Sequence, residues 1–132
     1  MSKRILLIQA SPRGEGSLSR KITAQFTSQL EKSNGSISVS ERDLAQDPPP
    51  HVSSEVVASM FVPPENRSAE MRQAFSFSNG LADELIAHDT IVISTPMFNR
   101  TVPSSLKAWI DHVVLPYKTF VPGPQGPTPL LK

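Results

Sequence analysis

The chain has no cysteine. That excludes a disulfide framework, a thiolate zinc site and a cysteine nucleophile, and with the last of these cysteine-based tyrosine-phosphatase chemistry. It also lacks an excess of either charge: 13 Lys and Arg stand against 12 Asp and Glu, for a formal net charge of +1. A polyanion-binding protein is not expected from that balance, and nothing points to nucleic acid. No apolar run reaches membrane length, and Met1-Ser2-Lys3 runs almost directly into a strand pattern without a leader. What these absences leave is one soluble globular domain of 132 residues, 38% hydrophobic, with the cytoplasm as its expected compartment.

Against that background, the stretch from Ile5 to Arg20 organises the chain. Ile5-Leu6-Leu7-Ile8 is apolar without alternation, the pattern of a strand buried on both faces of a parallel sheet. Leu18, Ile22, Phe26 and Leu30 follow at four-residue steps and predict a crossover helix that lays one apolar stripe on that sheet. The loop between them carries Gly14, Gly16, Ser17 and Ser19, so Ser17 and Ser19 can cap the helix and its first N–H groups can receive an anion. An ordinary strand-to-helix turn with a serine cap accounts for the same residues equally well. No Gly-Lys-Ser/Thr follows, which excludes a Walker loop. A dinucleotide fingerprint is a near miss, because Ser19 stands where the third glycine belongs, although Glu41 or Asp43 could supply the later acidic residue. Arg13, Arg20 and Lys21 gather at this loop either as a phosphate clamp or as a solvated helix start.

Ser33-Asn34-Gly35 ends the first helix, and Ile37 and Val39 then alternate with serines as a half-covered edge strand. Pro48-Pro49-Pro50 opens a connector with a short helix over Ser53 to Met60, and Pro63 to Ser68 is a second break. A helix from Ser68 to about His88 carries Phe75, Leu81, Leu85 and Ile86, with Gly80 a weak point of about 1 kcal/mol relative to alanine. Thr90 to Thr95 is a second apolar parallel strand ending at Pro96. With right-handed crossovers the first strand lies between the other two, and a crevice opens where Ser11 to Ser19 meets Pro96 to Pro103. Pro103 opens a helix with Leu106, Ile110 and Val113 or Val114 on its buried stripe. Met97, Phe98 and Asn99 suit a flat heteroaromatic ligand at the lip of the crevice, or they cap the core. His51, His88 and His112 have no fixed carboxylate spacing and read as surface or helix-packing residues.

Ser11, Ser17-Leu18-Ser19, Pro96-Met97-Phe98-Asn99, the run Val102 to Asp111 and Lys118-Thr119-Phe120 together resemble the FMN-dependent NADH-azoreductases. The helix Leu106-Lys107-Ala108-Trp109-Ile110-Asp111 behind Pro96 to Asn99 is the most specific part of the likeness. The resemblance implies a flavodoxin-like, three-layer α/β/α fold with a parallel sheet, a homodimer, FMN as cofactor and NADH as electron donor. Hydride would pass by way of the flavin to a quinone or an azo compound. By the same resemblance Ser11, Ser17, Leu18 and Ser19 hold the phosphate and ribityl chain. Pro96, Met97, Phe98, Asn99 and Arg100 follow the isoalloxazine, and Phe120 reaches the substrate pocket. The family's usual Met-Tyr-Asn-Phe is Met97-Phe98-Asn99-Arg100 here, so a hydroxyl is lost and a positive charge gained that would favour the reduced, anionic flavin.

Residues 121–132 are too proline-rich for a helix or a central strand and are expected to be an irregular tail of a single partial domain spanning 1–132. Three strands of the family's five are assignable, so the chain is similar to the first two thirds of an azoreductase, and the third strand stands as an apolar edge. Two readings follow: an FMN-dependent oxidoreductase, or a non-catalytic flavin- or nucleotide-binding fragment whose open edge takes a partner. A receiver domain fits less well, because Ser94-Thr95-Pro96 has no acceptor aspartate at the third strand's end.

Overall fold

The computed structural model describes residues 3–33 and 36–131, with the backbone alone at Ser33. The expected Asn34-Gly35 stop lies outside the described residues. Contacts divide the chain into two compact units, Met1–Pro49 with Ala87–Lys107, and Pro50–Ile86 with Ala108–Lys132.

The first unit is built on a three-stranded parallel sheet of order β2-β1-β3, from β1 (Lys3–Gln9), β2 (Ile37–Asp43) and β3 (Thr90–Ser94). β1 is central, and its apolar run Ile5 to Ile8 is buried throughout, as a strand covered on both faces requires. Its register places Gln9 beside Asp43 of β2 and Ser94 of β3. The ladder continues past the strand ends through Leu44 N to Gln9 O at 2.8 Å and Ala10 N to Ser94 O at 2.9 Å. At the opposite end the Asp89 carboxylate accepts from the Arg4 N–H at 2.8 Å, tying the entry of β3 to β1. β3 is the apolar edge expected, with Ile93 46% exposed.

Helix α1 (Leu18–Ser33) lies against β2 and β3, but not on the expected face. Leu18, Ile22 and Phe26 are 71%, 57% and 45% exposed. The covered face instead centres on buried Thr23 with Arg20 and Thr27 half-buried; of the expected stripe only its last member, Leu30, is half-buried, because it comes round to within 20° of Thr23 at 100° per residue. Both threonines satisfy their hydroxyls within the helix, Thr23 on Ser19 O at 2.7 Å and Thr27 on Thr23 O at 3.1 Å, so their methyl groups can be covered without an orphaned donor. On that face the Arg20 side chain reaches the sheet's carboxyl end, where it meets Ser11 and Asp43.

The second unit holds α2 (Ser54–Met60), α3 (Ala69–Ile86) and most of α4 (Ser104–Val113). Ser53 caps α2 by accepting from Val56 N, Ser68 caps α3 by accepting from Met71 N, and the Pro103 carbonyl starts α4 by accepting from Leu106 and Lys107. Val56, Met60, Phe75, Ala82 and Leu115 form the unit's apolar cluster, with Val52 against it. His112 is buried as a packing residue: its Nδ1 meets Ser78 Oγ at 2.7 Å, its Nε2 meets the Pro50 carbonyl at 2.8 Å, and Phe77 stands edge-on at 5.1 Å. Nε2 donates to the Pro50 carbonyl, which can only accept, and Nδ1 shares the second hydrogen bond with the Ser78 hydroxyl. Within the proline-rich stretch, β4 (Phe120–Val121) and β5 (Thr128–Pro129) pair antiparallel, with Gly126 at φ +112° between them. Among the described residues no helix is long and apolar enough to cross a membrane, and no group of three or more His, Asp or Glu side chains could hold a metal ion.

Candidate functional site

Because β1 and β3 are parallel neighbours, the loops that leave them, Ser11 to Ser17 and Thr95 to Pro103, start side by side at the carboxyl edge of the sheet. Gln9 and Ser94 are paired at that edge and buried, and Gln9 Oε1 and Ser94 Oγ have no hydrogen-bond partner. Unpartnered acceptors this deep mark a place where a further polar group belongs.

The first loop is held at both ends. Ser11 is buried, and its hydroxyl accepts from Arg13 N at 3.4 Å. A single 3-10 turn over Gly14–Gly16 follows, with Gly14 at φ +54°, a left-handed conformation that glycine adopts at little cost. Nothing stands within 4 Å of where a side chain would begin at Gly14 or Gly16, so the rim of the loop is open. Ser17, extended at φ −83° and ψ 122°, caps α1: its carbonyl accepts the first helical bond from Lys21, and its hydroxyl accepts from Arg20 N at 3.3 Å. Ser19 Oγ lies 2.9 Å from Ser17 Oγ. The Leu18 and Ser19 N–H groups belong to the first turn, where no carbonyl of the helix can reach them. The hydroxyl proton left over from the Ser17–Ser19 bond and the two first-turn amides, at a helix's positive end, form an anion-binding arrangement.

Arg20 is no phosphate clamp here. Its guanidinium donates from Nε and Nη2 to the Ser11 carbonyl at 3.0 and 2.7 Å, and from Nη1 and Nη2 to the Asp43 carboxylate at 2.7 and 2.8 Å. Asp43 also accepts from Ala45 N at 2.9 Å and Gln46 Nε2 at 3.1 Å, so it is not a free acid for a ribose. The two side chains are 18% and 13% exposed. The hydrogen bonds from Arg20 hold the Asp43 carboxyl below its ordinary range against the opposing effect of burial, and the same bonds raise Arg20. This arrangement was missed in the sequence, where Arg20 and Asp43 stand 23 positions apart with no local signal to pair them.

The second loop presents Met97, 77% exposed, and Phe98 to solvent. Phe98 and Thr101 exchange both backbone hydrogen bonds at 2.8 Å around Asn99 and Arg100, which sit at φ +49° and +63°. Two consecutive positive φ values make this a type I′ hairpin turn, usual for Asn at the first place and Gly at the second. The first half of that signal is in the sequence; Arg100 hides the second. Pro96 is half-buried and leads into the turn. Ser11, Ser17, Pro96, Met97, Phe98, Asn99 and Arg100 thus fall on two loops of the first unit, and Leu18 and Ser19 on the first turn of α1 that follows the first of them. Phe120 belongs to the second unit, where it lines an apolar cavity of about 370 Å³ with Leu85, Val113, Pro127, Pro129 and Leu131.

The family model for the flavodoxin-like fold matches residues 3–132. The chain belongs to this flavodoxin-like family. It is 41% identical over 128 residues to FMN-dependent NADH:quinone oxidoreductase 2 of Pseudomonas putida, covering 97% of this chain and 64% of that protein. With its namesake from Cupriavidus pinatubonensis the identity is 43% over 128 residues, covering 97% and 62%. An azoreductase of Bacillus anthracis superposes with a TM-score of 0.85 at 24% identity, over 98% of this chain and 64% of that one. An FMN-dependent NADH-azoreductase from the same species, solved in complex with FMN, gives 0.83 at 21% identity with the same coverage. The structural likenesses establish the flavodoxin-like fold that the β2-β1-β3 order predicted. The chain spans less than two thirds of the length of these relatives.

Proposed function

We propose that this chain is the FMN-holding part of an NADH-dependent quinone or azo reductase. The observation that carries the reading is the capped start of α1, where Ser17 Oγ, Ser19 Oγ and the first-turn amides converge beside an open Gly14-Glu15-Gly16 rim. A phosphate monoester fits that donor set, and the unpartnered Gln9 and Ser94 oxygens leave polar capacity at the root of both loops. The names of the 41–43% identical relatives support the same cofactor and donor.

On this reading Ser11, Ser17, Leu18 and Ser19 hold the phosphate and ribityl chain. Pro96, Met97 and Phe98 lay apolar surface along the ring and keep water from one face, while the Asn99-Arg100 turn fixes their backbone. Bound FMN would supply the two-electron chemistry, accepting hydride from reduced nicotinamide and delivering it to a quinone or azo compound. Arg100 places a positive charge on the same turn, and Phe120 offers an apolar wall for substrate. A homodimer in the cytoplasm completes the proposal.

A second reading rests on β3, which pairs with β1 alone among the described residues and exposes Ile93. An open apolar edge suits a chain that binds flavin and takes a partner strand without turnover. Fluorescence titration with FMN, followed by anaerobic NADH, separates the two. Binding with bleaching supports the reductase, binding without bleaching supports the non-catalytic reading, and no binding refutes both.

A further inference from the structure

The Arg20 side chain does more than join two elements. The Arg20 backbone N–H donates to Ser17 Oγ at the far end of the first loop, while its guanidinium donates twice to the Ser11 carbonyl at the near end. One residue therefore closes the loop on itself, and Asp43 at the end of β2 fixes that residue through two further bonds. Because the carboxylate balances the guanidinium, Arg20 has little charge left to offer a ligand. We propose that Arg20, oriented by Asp43, is a positioning residue that pre-forms the phosphate-binding loop without touching the phosphate. This rests on the FMN reading of the site. Its chemical basis is that a loop already ordered in the free protein does not lose that freedom on binding.

The two roles open to Arg20 give opposite signs in one variant. If Arg20 were a phosphate ligand restrained by Asp43, Asp43→Asn would release its charge and tighten FMN. As a positioning residue it loses its orientation in the same variant, and FMN binding weakens. Arg20→Lys keeps the charge but cannot match a carbonyl and a carboxylate with one planar fork, so it weakens binding as well.

The test measures dissociation constants for FMN and for riboflavin, which lacks the phosphate, on the full 132-residue chain and on Arg20→Lys, Arg20→Ala and Asp43→Asn, with circular dichroism to follow folding. The expected result is FMN weakened on the order of tenfold to a hundredfold in each variant, the loss of charge-assisted hydrogen bonds. Riboflavin, which meets the loop through its ribityl chain alone, loses clearly less affinity than FMN, and added guanidinium ion restores FMN binding to Arg20→Ala. Unchanged FMN affinity in Arg20→Lys, tighter FMN in Asp43→Asn, or an equal loss of both flavins, including by unfolding, would each overturn the positioning role. A wild-type chain that binds no FMN overturns the flavin reading itself and this inference with it, whereas wild-type binding with indifferent variants overturns the inference alone.

Discussion

Replacing Asp43 by Asn tests the pairing of the first unit at one atom's cost. The Asp43 carboxylate accepts from Arg20 Nη1 and Nη2, from Ala45 N and from Gln46 Nε2, with its side chain 13% exposed. An amide has a single acceptor oxygen, and both carboxylate oxygens accept from Arg20 and from Gln46, so in either orientation the NH₂ faces both of them, donor against donor. Hydrogen bonds to charged groups contribute about 1.5–3 kcal/mol, and removing one partner of a buried ion pair costs about 3–5 kcal/mol. With this pair only mostly buried, a loss of about 2–3 kcal/mol is expected, or roughly 6–12 °C in Tm for a chain of this size. The pH dependence has a fixed sign. Arg20 lowers the folded-state pKa of Asp43 from the ordinary 3.8, so the pair's stability is fully present above that value and is lost as pH falls through the folded one. Urea unfolding of both proteins should give a constant gap from pH 8 to about pH 5 that narrows below about pH 4. A gap under about 0.5 kcal/mol at pH 7, or one that does not narrow in acid, would refute the clamp.

In the second unit, His112→Phe strands the Ser78 hydroxyl and the Pro50 carbonyl and should cost about 2–4 kcal/mol in urea unfolding, with Ser78→Ala added to it recovering part of the loss. At the hairpin turn, Arg100→Gly removes left-handed strain at φ +63° but loosens the unfolded chain, for a net gain of about 0.5 kcal/mol in a thermal melt; a loss of stability would refute the turn type. The same variant should lower the flavin midpoint potential if the Arg100 charge stabilises the reduced anion. On α1, Ile22→Gln should change stability by less than about 0.5 kcal/mol because Ile22 is 57% exposed, and a loss above about 1.5 kcal/mol would return that side chain to the sheet.

The strands were legible because their signal is local. Ile5 to Ile8 and Thr90 to Ser94 lie where unbroken apolar runs put them, and the crossover rule then orders them. Helix starts were legible for the same reason, since Ser17, Ser53 and Ser68 each cap the helix they precede. The rotation of α1 was not. Periodicity finds an apolar stripe but cannot weigh it against one arginine with a carboxylate waiting 23 residues away, and two threonines bonded to their own helix are as buriable as the stripe. The two loops of the candidate site followed from topology, because parallel strands bring their carboxyl ends together. Their inner geometry did not, for the Asn99-Arg100 turn and the closure of the first loop by Arg20 depend on backbone angles and long-range bonds that composition does not record.

The most direct test of the flavin reading is anaerobic: the 132-residue chain is titrated with FMN by fluorescence, and NADH is then added while the flavin absorbance is followed. Saturable binding with bleaching on NADH addition, and recovery of the oxidised spectrum when a quinone is supplied, is the expected result. Flavin fluorescence that does not change at any protein concentration would contradict it, because the Ser17–Ser19 helix start and the Met97–Arg100 turn would then not form a flavin site.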